Sequence, residues 1–224
     1  MNVNEVQQNA YKIWGKHVSS DYMLYPNENL TRFIFKNRAK FNKILDFGCG
    51  DGRHLEMMAN AGIKELYGID MSKECLEIAK NRLNHYESKF TSHQNSSDEK
   101  LVQTIGSGYD CVVSWGVMHL NTKNVALNLM KQFSEILNTG GTFFSNWQTQ
   151  KDSLYKQGEF IENDTFLLNV KGYEGMIYHF PNLDELKKMY EEENFEILSI
   201  DTEEFSAQNG KILNSFYIIE AKKR

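Results

Sequence analysis

From residue 41 onward the hydrophobic pattern switches repeatedly between strand-like runs and helix-like spacing. Residues 44–47, apolar except for Asp46, read as a buried strand that breaks into glycines at alternate positions, Gly48, Gly50 and Gly52. A helical pattern follows from Arg53, with Leu55, Met58 and Ala59 facing inward and Gly62 placed to end it. Residues 65–69 form a second strand ending in Asp70, and Ser72 caps a helix whose inward face is Leu76, Ala79 and Leu83. A short polar strand is expected over 89–94, then a loop and a short helix over 101–105. The fourth strand, 110–114, is far clearer and runs into Trp115-Gly116-Val117-Met118-His119-Leu120. Ala126, Leu129, Met130, Phe133, Ile136 and Leu137 then recur at helical spacing. Gly140-Gly141 is expected to end that helix, and 142–147 to form strand five.

Here the alternation stops. Residues 148–181 are a long aromatic-rich insertion in which 165–170 and 175–180 suggest a hairpin. A connection of this length is functional or disordered, and its aromatics argue for the first. In 175–180, Met176, Tyr178 and Phe180 fall on one face, Ile177 and His179 on the other. The pattern resumes at Asn182, a capping-box start with Glu185, on a helix that buries Leu186, Met189 and Tyr190. Two strands, 195–200 and 215–221, close the chain. With no helix between them, they are expected as an antiparallel pair at the sheet edge. Residues 1–40 read as helices outside the sheet, the second starting after Pro26 with Asn27 as cap and Leu30, Phe33 and Ile34 on one face. Tyr11 and Trp14 either pack that region onto the core or form a lid. Strands alternating with helices predict an α/β fold with a mostly parallel sheet covered on both faces.

Composition narrows the class. The 224 residues, 41% hydrophobic and 25% charged, suffice for one domain with a modest cap. No apolar run reaches the length of a membrane span, and residues 1–10 lack a signal-peptide core, so a cytoplasmic protein is expected. Cys49, Cys75 and Cys111 lack metal-like spacing and read as reduced thiols; no metal site is expected. A net charge of -5 disfavours nucleic acid as partner.

The glycine turn is the candidate site, because glycine lets a ligand approach the backbone above a strand's carboxyl end. A dinucleotide fingerprint needs a third glycine three residues after the second, where this chain has Arg53. The stretch Asp46-Phe47-Gly48-Cys49-Gly50-Asp51-Gly52 instead resembles motif I of the class I S-adenosylmethionine-dependent methyltransferases, and the resemblance runs from about residue 41 to the C-terminus. It implies a Rossmann-like seven-stranded sheet with a C-terminal antiparallel strand pair, N-terminal lid helices (1–40) and a substrate cap (148–181) in a single domain. It further implies that Gly48, Cys49 and Gly50 run beside the methionine portion of the cofactor with Asp46 nearby, that Asp70 accepts from both ribose hydroxyls, and that Met71 flanks the adenine. Tyr11 matches aromatics that close over the cofactor; Ser114 and Trp115, at the end of strand four, complete the implied cofactor set. An aspartate common after strand three is missing; Gln94, Asn95 or Ser96 is left to meet the adenine edge.

Strand four ends without the Asn/Asp-Pro-Pro-aromatic signature of base and glutamine methylases. What remains resembles the small-molecule branch, including sugar-tailoring and TehB-like enzymes. In that branch His119 matches a substrate-facing histidine, either a base for the acceptor or a residue that merely packs at a helix start. Trp14, Trp147, Tyr155, Tyr178 and His179 are the substrate-side candidates, most of the cap's aromatics being expected in its own small core. The expected activity is methyl transfer from S-adenosylmethionine, leaving S-adenosylhomocysteine, to an oxygen or nitrogen of a small metabolite, a sugar or surface-metabolite precursor first. The alternatives are a non-catalytic cofactor-binding subunit and a protein or RNA methyltransferase. The sequence leaves oligomeric state open.

Overall fold

The computed structural model describes residues 24–94 and 100–224. The expected positions Tyr11, Trp14, Asn95 and Ser96 lie outside the described residues.

Seven strands form one sheet: β1 (Lys43–Phe47), β2 (Glu65–Asp70), β3 (Lys89–Gln94), β4 (Tyr109–Ser114), β5 (Leu137–Gln148), β9 (Phe195–Ala207) and β10 (Ile212–Lys223), in the order β3-β2-β1-β4-β5-β10-β9. The first five are parallel. β10 runs antiparallel to both β5 and β9, so β9 is the edge strand and shares the direction of the first five. The antiparallel terminal pair is therefore present, with its second strand inserted inside the first.

Each face of the sheet carries its own apolar cluster. Helices α1 (Glu28–Asn37), α2 (Arg53–Asn60) and α3 (Lys73–Leu83) cover one face, where Leu30, Phe33, Leu55 and Leu76 meet Ile44, Val113 and Phe144. Helices α4 (Leu101–Ile105), α5 (Lys123–Ile136) and α6 (Leu183–Glu192) cover the other, where Met130, Phe133, Leu186 and Tyr190 meet Leu45, Val112 and Phe143. The expected caps hold: Asn27 Oδ1 accepts from the N–H groups of Asn29 and Leu30, Ser72 from Cys75 and Asn182 from Glu185. The Glu185 carboxylate is spent on Lys123 Nζ, 2.8 Å away.

Gly140-Gly141 does not end α5. The helix stops at Ile136, because Leu137 already has extended backbone and pairs with Tyr109. At Gly141 a Cβ would stand 2.9 Å from the Asn138 carbonyl oxygen and 3.2 Å from that of Tyr109. The glycine is there for close strand approach.

The insertion folds as a second, three-stranded antiparallel sheet, β6 (Gly158–Glu162), β7 (Thr165–Leu168) and β8 (Ile177–His179). The β7–β8 hairpin follows the sequence pattern. β6 escaped it because Glu159 and Phe160 are both exposed and no face alternates. Met176, Tyr178 and Phe180 join Leu120, Phe166 and Leu168 in the cap's own core.

The terminal strands are longer than expected. The last β10 residue paired with β5 on this side is Phe216, opposite Gln148, while 212–215 pair only with β9. The two strands thus continue as an arm past the carboxyl end of β5. Residues 149–153 hydrogen-bond along its β10 side, Thr149 N–H to the Ser215 carbonyl and Ser153 N–H to that of Leu213, while 204–207 of β9 are exposed and lack the alternation a buried strand would show.

Candidate functional site at the carboxyl ends of the strands

The turn after β1 is built from backbone. Gly48 and Cys49 N–H both donate to the Ile69 carbonyl, at 2.7 and 2.9 Å, binding the turn to the end of β2. Gly48 has φ +78, and a Cβ there would lie 2.2 Å from Val117 Cγ2. The loop after β4 therefore presses on the turn so closely that only glycine fits. Gly52, at φ +83, starts α2 against Ala79 of α3, whose Cβ an added methyl would meet at 2.8 Å.

Asp70 closes the far side. Its Oδ2 accepts from Gly50 N–H at 2.8 Å and its Oδ1 from Ser72 N–H at 2.9 Å. Each carboxylate oxygen keeps one further acceptor site, which is what a vicinal diol requires. Burial raises its pKa, and the hydrogen-bonded Ser72 and Gly50 N–H groups lower it. Met71 is tied to β3 by Gln94, whose Nε2 donates to the Met71 carbonyl at 3.0 Å.

Asp46 is buried beneath the turn, and its Oδ2 has no hydrogen-bond partner among the described residues. Burial pushes its pKa up to about 7; Arg53 opposes this and Asp70 reinforces it. Burial raises the Cys49 thiol too, helped by Asp46 and Asp70, so this cysteine is an inert wall. An unpartnered buried carboxylate, a side-chain-free cradle and a pre-oriented acceptor pair fit a cationic, ribose-bearing methyl donor.

Arg53, which stands where a dinucleotide fingerprint needs its third glycine, donates from Nη1 to the Tyr25 carbonyl at 3.0 Å. Next to it His54 is buried and neutral, its pKa pushed down to about 3 by burial and then Arg53, and its Nε2 accepts the Asn27 N–H at 3.3 Å. Together they anchor the chain leading into α1 beside the turn.

At the end of β4, Ser114 Oγ is buried without a partner among the described residues, and the Trp115 ring stacks near Phe144 with centroids 6.1 Å apart. Gly116 N–H donates to Asn146 Oδ1 at 2.6 Å. His119 follows in a short 3-10 turn, Met118–Leu120, buried, with Tyr178 and Phe216 rings at 5.4 and 6.1 Å. Its pKa is pushed down to about 4 by burial, which outweighs the Asn146 backbone, so the imidazole is neutral; Nδ1 has no partner among the described residues.

The other substrate-side candidates disperse. Trp147 is fully buried in the main core and its indole N–H donates to Tyr190 Oη at 3.1 Å, which leaves it no surface for a ligand. Tyr155 donates to Asp164 at 2.6 Å and packs edge-on to Phe166 and Phe180 within the cap. His179 is buried at the joint between cap and main sheet, Nδ1 2.8 Å from Thr165 Oγ1 and Nε2 3.7 Å from Glu185. Of these candidates, Tyr178 alone meets His119. Asn146 and the arm's Phe216 carry no site signal in the sequence: Asn146 sits between Ser145 and Trp147 within a strand, and Phe216 reads as an ordinary strand residue. Among the described residues no group of three or more His, Cys, Asp or Glu side chains could hold a metal ion, and no helix is long and apolar enough to cross a membrane.

A family described as "Methyltransferase domain" matches residues 19–200. An uncharacterized methyltransferase of Oceanobacillus iheyensis is 26% identical over 188 residues, 81% of this chain and 78% of that protein. An uncharacterized Haemophilus influenzae protein is 28% identical over 123 residues, 54% of this chain; the chain aligns with 47% of its length. In three dimensions, an S-adenosylmethionine-dependent methyltransferase from Methanosarcina mazei superposes with a TM-score of 0.69 at 20% identity, covering 89% of this chain and 99% of that one.

Proposed function

Since the chain belongs to the methyltransferase-domain family over residues 19–200, we propose that it moves the methyl of S-adenosylmethionine to an oxygen or nitrogen of a small acceptor. The observation that carries this reading is Asp70, whose two carboxylate oxygens are oriented by Gly50 and Ser72 N–H groups and each keep an acceptor site for a ribose hydroxyl. Asp46, buried with Oδ2 unpartnered among the described residues, is the acid whose ionised form a cationic ligand would favour, and Met71, backed by Gln94, is the residue expected to flank the adenine. When bound, S-adenosylmethionine supplies an electrophilic methyl whose sulfur leaves as a neutral thioether.

The chain's own contribution is placement. In-line displacement gains most from alignment of the two reactants, and Val117 packed on Gly48 fixes the donor turn against the acceptor loop. His119, neutral and with Nδ1 unpartnered among the described residues, accepts a hydrogen bond from the acceptor's N–H or O–H and turns the acceptor's lone pair toward the methyl. A binder without catalysis is the second reading, favoured by the packing of Tyr178 on His119.

Incubating the protein with labelled S-adenosylmethionine and a cell extract, then searching by mass spectrometry for labelled products, separates the two: the enzyme labels a small molecule, the binder nothing. His119→Ala should cut turnover roughly ten- to a hundredfold with cofactor affinity unchanged. Equal turnover removes His119 from the reaction.

A further inference from the structure

The arm formed by β9 and β10 projects beside His119, and its inner face has a distinct chemistry. Phe216 lies opposite Glu203 across the pair, and Phe205 opposite Asn214. Residues paired across an antiparallel ladder share a face, so Glu203, Phe205 and Phe216 stand together. The two phenyl rings stack at 6.4 Å, and Phe216 in turn lies 6.1 Å from His119. Phe205 is half exposed, Phe216 half buried and His119 buried, so the rings step inward from solvent to the imidazole.

The two neighbouring acids differ. Glu204 points to the other face and is consumed by Lys151 at 3.0 Å and Ser215 Oγ at 3.1 Å. Glu203 holds a long contact, 3.5 Å, with the neutral amide of Asn27, which turns its carboxylate toward α1 and the donor turn. Most other polar groups nearby are already engaged. Asn146 Oδ1 holds Gly116 N–H, Asp152 holds the Leu154 and Ser215 N–H groups, and Thr149 Oγ1 donates to Ser215 Oγ. Among the described residues this face of the arm carries the carboxylates of Asp201 and Glu203 and the rings of Phe205 and Phe216, with the buried His119 imidazole beside Phe216.

We infer that the acceptor is an amine, drawn in as a cation by Glu203 and the faces of Phe205 and Phe216 and methylated on nitrogen as the free base beside His119. This rests on the methyl-transfer reading above and decides its open choice between oxygen and nitrogen. Carboxylate beside aromatic faces is the chemistry that holds alkylammonium groups. An alcohol must lose its proton as oxygen takes the methyl, and so needs a base; the burial-weakened imidazole of His119 is a poor one. An amine that has released its proton to water needs none. Its lone pair forms the C–N bond while the C–S bond breaks with the electron pair going to sulfur. The product is a methylammonium ion, which returns its proton to solvent. His119 Nδ1 orients this reaction by accepting one amine N–H.

The test uses S-adenosylmethionine carrying a carbon-13 methyl, the whole protein and an extract of the source cells, read by carbon-proton correlation spectra in which N-methyl and O-methyl signals separate. Label on nitrogen is expected. Label on oxygen, sulfur or carbon overturns the amine assignment and leaves methyl transfer standing. Glu203→Gln and Phe216→Leu should each lower label transfer about tenfold at limiting extract and much less at saturating extract. Calorimetric affinity for S-adenosylmethionine should stay within about twofold in both variants. Unchanged transfer in both variants overturns the proposal, as does cofactor binding with no labelled product. If S-adenosylmethionine does not bind at all, the methyl-transfer reading fails and takes this inference with it.

Discussion

Asp46 is the residue where stability and ligand binding oppose each other. Its ordinary pKa of 3.8 is raised to about 7 by burial, so the folded protein keeps a proton that the unfolded chain has lost. A group raised in this way contributes stability that is intact below about pH 4 and is lost as pH rises to about 7. Asp46→Asn removes the burden of an ionised buried carboxylate. The ligand-free variant should therefore gain on the parent between pH 4 and pH 8, by on the order of a few kcal/mol, in urea denaturation. Parallel stability curves at the two pH values would contradict this. The same variant should bind S-adenosylmethionine more weakly at pH 8, where the parent carries the charge. Gly48 is the second informative residue. Gly48→Ala puts a methyl into Val117 at φ +78, and should cost roughly 1–3 kcal/mol in thermal melts besides weakening cofactor binding. Both positions are legible in the amino-acid sequence, since a glycine turn behind a strand announces backbone contact. The orphaned oxygen of Asp46 is not, because its lack of a partner depends on what β2 and α2 place around it.

At the scale of elements, most regular patterns translated directly, a short polar strand included. The short polar strand 89–94 and the helix 101–105 are where the sequence puts them. β6 and the β9–β10 arm went unseen or were shortened, because strands solvated on both faces carry no hydrophobic period. Trp147 illustrates the opposite error. A tryptophan at the end of a central strand reads as a ligand wall, yet alternation along β5 turns it with Phe143 and Ser145 onto Tyr190, while Asn146 faces the site. Tyr190→Phe leaves the buried Trp147 N–H and the Ser145 hydroxyl without their common partner, and should lower stability by about 1–3 kcal/mol in urea titrations. A smaller structural change, Asn182→Ala, removes the cap of α6 and should cost about 1 kcal/mol. Neither variant should alter cofactor affinity, which separates the scaffold from the site.

Over the whole molecule, the sheet order explains why the site is where it is. β1 and β4 lie side by side at its centre, β2 flanks β1, and their carboxyl ends bring together Asp46, Gly48, Asp70, Ser114 and His119, residues up to 73 positions apart in the chain. The proposed donor half was readable because it is local: glycines, an acid at each strand end, a capped helix. The proposed acceptor half was not, because the loop after β4, the cap and the terminal arm are brought together only by the tertiary fold. Calorimetric titration with S-adenosylmethionine reads the proposed donor site without needing an acceptor. The parent protein should show saturable one-site binding, and Asp70→Ala at least about tenfold weaker binding, a loss of about 1.4 kcal/mol or more. No binding by the parent, or equal affinity in the variant, would contradict the donor-site proposal.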